Sequence, residues 1–76
     1  MNIKEKFGQK VRTLREEKFM SIEHLANISN VDRNYISDIE KGKRNLSIEI
    51  MEKIITALES DFMSFFNDKN FKINNF

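Results

Sequence analysis

Seventy-six residues carry 13 Lys and Arg against 12 Asp and Glu, a formal net charge of +1, and 39% of the side chains are apolar. A chain of this size is one domain, close to the point at which a lone core is marginal and a partner subunit helps. With no Cys and one His it excludes a disulfide framework and a Cys-based zinc site, and no metal or cofactor is expected.

No apolar run approaches the length that spans a bilayer, and Met1, Asn2, Ile3, Lys4 do not lead into a secretory segment, so a cytoplasmic protein without a membrane partner is expected. Asn2 followed by Glu5 has the spacing of a capping box. Ile3, Phe7, Val11 and Leu14 then recur at helical spacing, which predicts a first helix over about 3–17. Gly8 inside it costs about 1 kcal/mol relative to Ala and calls for a packing reason. Lys4, Lys6, Lys10, Arg12, Arg15 and Lys18 face only Glu5, Glu16 and Glu17 in this stretch. Positive charge must gather on one face for a nearly neutral chain to hold nucleic acid; Lys10 and Arg12 are either phosphate contacts or solvated charge. Phe19 and Met20, in the linker that follows, are expected to plug the domain edge.

Ser21 is a good N-cap, and Ile22, Leu25, Ala26 and Ile28 make an apolar stripe, predicting a second helix over about 22–28. The small Ala26 lets two helix axes approach, residues 28–31 have the length of a tight corner, and Asn30 suits a left-handed step there. Asp32 caps a third helix over about 33–41, stopped by Gly42, with Lys41 placed against the negative end of the dipole. At about 100° per residue, Arg33, Asn34, Ser37, Asp38 and Lys41 share one arc, opposite Tyr35, Ile36 and Ile39. Arg and Asn carry the paired groups that read guanine and adenine in a major groove, and Asp can accept from cytosine. The polar arc is therefore the candidate reading surface.

Leu25-Ala26, Val31, Tyr35-Ile36-Ser37, Ile39-Glu40 and Gly42-Lys43-Arg44 resemble the helix-turn-helix of the phage Cro and repressor (XRE-type) family. The stretch DRNYISDIEKGKRNLSIE is similar to controller proteins of restriction-modification systems, and the likeness runs over about residues 3–66. It implies an all-α fold, a compact five-helix, lambda-repressor-like bundle with a central helix-turn-helix. It also implies an ion pair of Arg15 with Glu40. Arg44 would reach a phosphate or a base edge, Lys43 a phosphate, and Asn45 would lend amide bonds. Two positions depart from the pattern: Ile22, where a phosphate-binding Gln is usual, and Asn30, where Gly is usual. Ser21 or the free N–H groups of the helix start are expected to replace the missing Gln. The family pairs through its last helix about a two-fold axis, which sets the reading helices about 34 Å apart on an inverted repeat. Controllers activate or repress with operator occupancy, and Glu23 is a candidate contact to RNA polymerase.

Ser47, with Glu49 in the first turn, caps a fourth helix over about 48–58 striped by Ile48, Met51, Ile54, Ile55 and Leu58. Ser60 or Asp61 caps a fifth over about 61–66. Its Phe62, Met63, Phe65 and Phe66 exceed what one small domain buries and read as a dimer interface; the alternative is that they fold back onto Leu58 and Phe7. Residues 67–76 are polar with isolated Phe71, Ile73 and Phe76, a frayed tail or an added interface strand. His24 stands alone, and the serines lack a general base, so no enzyme is expected.

The resulting expectation is a homodimeric regulator on double-stranded DNA. Arg33, Asn34, Tyr35, Ser37 and Asp38 contact bases; Ser21, Lys41, Lys43, Arg44 and Asn45 contact the backbone. Tyr35 stays open between a sugar or thymine-methyl contact and the core. Asp38 either meets cytosine or holds Arg33 or Asn34 in place. The alternatives are an antitoxin that holds a toxin with its Phe-rich end, a phage-type repressor, and a helical adaptor that never touches nucleic acid.

Overall fold

Every α-helix of the computed structural model, which describes residues 1–73, begins on a side chain that accepts from its own first turn. Asn2 and Glu5 form a reciprocal capping box at α1, Ile3–Glu17. Ser21 caps α2, Ile22–Ser29, and Asp32 caps α3, Arg33–Glu40. Ser47 caps α4, Ile48–Ala57, and Asp61, not Ser60, caps α5, Phe62–Phe66. The helix ends fall within a residue of those read from the periodicity, and each start is set by an N-cap residue with non-helical torsions.

The stops are equally local. Phe19, Gly42 and Glu59 each take a left-handed conformation (φ 54°, 74° and 59°), and each lets its own N–H and the next one close back on the helix it ends. At Phe19 the bonds run from its own N–H to the Glu16 carbonyl and from the Met20 N–H to the Arg15 carbonyl, both 3.0 Å. This overturns one expectation. The left-handed step turns the Phe19 ring out, 98% exposed, and only Met20 packs toward the core. Asn30 makes the corner between α2 and α3 at φ 57°, ψ 39°.

Phe7, Val11, Leu25, Val31, Ile36, Ile39, Ile54, Ile55, Leu58 and Phe65 form the buried core. The apolar stripes overreach it at their ends: Ile3, Ile28 and Ile48 are exposed. In α2 the buried position is Ser29 instead, its hydroxyl donating to the Leu25 carbonyl at 2.6 Å.

Gly8 explains how α1 meets α3. A Cβ there would drive into the Ile39 carbonyl oxygen and stand 3.0 Å from Glu40 Cα, so the two backbones touch only because the side chain is missing. Beside this contact, Arg15 Nε donates to Glu40 Oε2 at 2.7 Å, Nη2 to Oε1 at 3.0 Å, and Nη1 to the Met20 carbonyl at 2.8 Å. The expected ion pair is thus a two-pronged clamp that also holds the linker.

The C-terminal segment is neither frayed nor a strand over its described part. Residues Lys69–Phe71 make a 3-10 turn, Asp68 pairs with Lys10 at 2.9 Å, and Phe71 stands edge-on to Phe66 at 4.9 Å between centroids. Residues 74–76, with Phe76, lie outside the described residues. Asp61 and Asp68 are held below the usual carboxylate range, first by the backbone N–H groups of Ser64 and Asn70. Their contribution is complete at neutral pH and is lost as pH falls through those lowered values.

Two stability outcomes follow from the backbone. Gly8→Ala is expected to destabilise by at least about 2 kcal/mol in a urea titration, since no flexible group can yield to the new methyl; an unchanged midpoint would contradict the close crossing. Phe19→Gly is expected to raise stability by up to about 1 kcal/mol, because glycine adopts the left-handed step without the Cβ conflict. A fall in the midpoint would show that the Phe19 ring is held by something in the folded chain.

Candidate nucleic-acid interface

The position of α3 follows from its ends and its inner face. Asp32 accepts from the N–H groups of Asn34 at 2.8 Å and Tyr35 at 3.1 Å, while Ile36 and Ile39 are sealed in the core. The opposite face is left to solvent: Arg33 and Asn34 are exposed, and Ser37 and Asp38 are half-buried. Eight residues at about 1.5 Å each give a rod of about 12 Å, matched to a major groove about 12 Å wide.

Two carboxylates restrain the cations of this face. Arg33 Nε lies 3.2 Å from Glu23 Oε2, joining the first turn of α3 to the first turn of α2. Glu23 is held below the usual carboxylate range by its own backbone N–H and then by Arg33. At the other end, Arg44 Nε and Nη2 both stand 3.2 Å from Asp38 Oδ2, and the guanidinium lies over the Tyr35 ring, 4.8 Å from its centroid. The Tyr35 hydroxyl donates to the Asn45 carbonyl at 3.4 Å, and the Lys43 N–H to the Asp38 carbonyl at 3.0 Å. The loop of residues 41–45 is therefore strapped to the second half of α3.

This arrangement revises several expectations. Asp38 holds Arg44, six residues on, through Oδ2, and neither Arg33 nor Asn34. Tyr35 packs against the core with one face and carries Arg44 on the other. Ser21 caps α2 by accepting from the His24 N–H at 3.0 Å, which leaves its exposed hydroxyl a proton to donate. Lys10 is tied to Asp68 and Arg12 to Glu16. Lys41 and Lys43 are exposed and make no salt bridge among the described residues.

The α5 surplus is smaller than its sequence implied. Phe65 is 1% exposed and lies 5.0 Å from Phe7 between centroids, so it belongs to the core and not to an interface. Phe66 is half-buried against Phe7 and Phe71. Phe62 and Met63 remain outside, Met63 at 84%.

Sequence reasoning missed the pairs of Glu23 with Arg33 and of Asp38 with Arg44. The second had a readable cause, since Gly42 reverses the chain and returns Arg44 to α3. The first depends on how the corner at Asn30 sets α2 against α3, which no local pattern encodes.

A family model described as helix-turn-helix matches residues 11–63. The control protein C.BamHI of Bacillus amyloliquefaciens is 53% identical over 58 residues, covering 75% of this chain and 72% of that protein. Among solved structures, the restriction-modification controller C.AhdI from Aeromonas hydrophila superposes with a TM-score of 0.79 at 41% identity, over 83% of this chain and 96% of that one. The controller C.Esp1396I, solved as a tetramer in complex with its natural 35 base-pair operator, gives 0.82 at 41% identity, over 87% of each chain.

Removing one strap tests the loop geometry without any ligand. Asp38→Asn is expected to lower the 15N order parameter at Arg44 Nε, while global stability moves by less than about 1 kcal/mol, as for other exposed pairs. An unchanged order parameter would mean that Tyr35 alone fixes Arg44.

Proposed function

The chain belongs to the helix-turn-helix family, and from that premise we propose that it is a sequence-specific, DNA-binding transcription regulator of the restriction-modification control type. It acts in the cytoplasm as a homodimer on an inverted-repeat operator. The observation that carries this reading is the outward edge of α3, with Arg33 and Asn34 free of their own core and Lys41 and Lys43 exposed at its far end.

In this reading α3 lies in the major groove with its first turn against the bases. Arg33 spans a guanine edge and Asn34 an adenine edge, with Ser37 further along the same face. Lys41, Lys43, Arg44 and Asn45 grip the sugar-phosphate chain beside it, and the Ser21 hydroxyl meets a phosphate on the other side. Contacts of the second kind fix register but carry no sequence information. Phe62 and Met63 supply apolar surface for a two-fold pairing that sets two reading helices about 34 Å apart. That C.Esp1396I was solved on its operator as a tetramer supports assembly of such units on DNA. Control of this type activates or represses with operator occupancy and involves no catalysis. The antitoxin alternative is less well supported, because control proteins match most of the chain.

Selection from a random duplex pool should return an inverted repeat; recovery of no preferred sequence would defeat the proposal. On the selected duplex, Arg33→Ala is expected to cost about 1–3 kcal/mol and relax preference at one position in each half-site. Lys43→Ala should instead weaken selected and scrambled duplexes alike and reduce the salt slope by about one ion. Equal losses on both duplexes for Arg33→Ala would take base reading away from that residue.

A further inference from the structure

We propose that Glu23 is a positioning residue for base recognition, holding the Arg33 guanidinium by its side so that its forward edge is presented to one base; this rests on the reading of Arg33 given above. The pair spans two helices, 3.2 Å from Nε to Oε2, with Arg33 54% and Glu23 62% exposed at the side chain. A guanidinium has two usable edges, and a carboxylate near Nε takes the lateral one. The forward edge, with one N–H from each Nη, stays open, and its fork matches the O6 and N7 acceptors of guanine.

The need for such a hold comes from chain freedom. An unrestrained arginine at the exposed first position of a helix samples many rotamers, and fixing one at the moment of binding subtracts from affinity for the correct base. The ion pair is weak in water, but a DNA surface laid over it removes the solvent that screens it. Glu23 is suited to stay ionised there, because its own backbone N–H stabilises the charge in addition to Arg33.

The same carboxylate has an opposing effect. A negative charge close to phosphates lowers affinity for any duplex, whatever its sequence. Positioning acts on a single base pair, whereas repulsion acts uniformly. Glu23 therefore lowers general binding and raises discrimination, and the two effects separate experimentally.

The probes are the duplex recovered by selection, versions of it altered at one base pair, and a scrambled duplex, all titrated by fluorescence anisotropy at fixed salt. E23Q is expected to bind the scrambled duplex tighter but the selected duplex no tighter, so that the ratio falls about threefold to tenfold, a part of what one bidentate contact discriminates. The lost discrimination should lie at the base pair that R33A relaxes, and E23Q should change the ratio no further in an R33A background. E23D keeps the charge but falls short of Nε, so it should lower the ratio while leaving scrambled binding unchanged. Parallel tightening on both duplexes by E23Q, with the ratio intact, overturns the inference and leaves Glu23 as a repelling charge only. Loss of discrimination at other base pairs overturns it too. If R33A relaxes no position, the base-reading assignment of Arg33 fails first and this inference with it; if R33A relaxes one and neither Glu23 variant does, this inference alone fails.

Discussion

The structure depends on the contact between the backbones of α1 and α3 at Gly8. A helix whose outer face must meet a ligand is best supported from behind by something that cannot shift, and a glycine against a carbonyl oxygen leaves no side chain to readjust. The clamp of Arg15 on Glu40 lies alongside, with exposures of 12% and 7%. A pair this dry is weak evidence for net stability, since desolvation offsets much of the attraction. Its geometry is its value. Three donors of one guanidinium fix the end of α1, the linker carbonyl of Met20 and the last residue of α3 in a single frame.

Charge is distributed with the same economy. A net of +1 is low for a nucleic-acid ligand. Yet Lys10, Arg12, Arg15 and Lys18 on or just after α1 each have an acidic partner, in Asp68, Glu16, Glu40 and Glu59. Pairing offsets these four charges, whereas Lys4 and Lys6 of α1 and Lys41 and Lys43 beyond α3 make no salt bridge among the described residues. The distribution of exposed cations, rather than the net charge, is the quantity that steers a polyanion.

Helix starts were the most legible feature, because a capping side chain and the N–H it serves lie within three residues of each other. Gly8 was legible as an anomaly whose cause had to wait for the structure, whereas Gly42 was legible at once as the stop of α3. The misreadings at Phe19 and Phe65 have a common origin. An apolar side chain in a short linker or terminal helix faces inward or outward according to one backbone torsion or one helix tilt, and composition carries neither. The pairing of Arg15 with Glu40 was reached through family resemblance, since 25 residues separate the partners. Glu23 with Arg33 had no such guide and came only from the structure.

The coupling at Asp38 bears on how reading and gripping combine. In the proposed reading, contacts to bases and contacts to phosphates come from different segments, α3 and the loop after it, and a flexible joint between them would let one engage without the other. Asp38 removes that freedom: its carboxylate holds Arg44, its carbonyl holds the Lys43 N–H, and Tyr35 lies beneath the guanidinium. On the proposed reading, a phosphate contact made by the loop would fix the depth and rotation of α3 as well, so that a wrong base under Arg33 could not be accommodated by sliding the helix alone. An arginine strapped to a carboxylate gives up some attraction for phosphate, and in return the strap ties the register set by a phosphate contact to the position of α3.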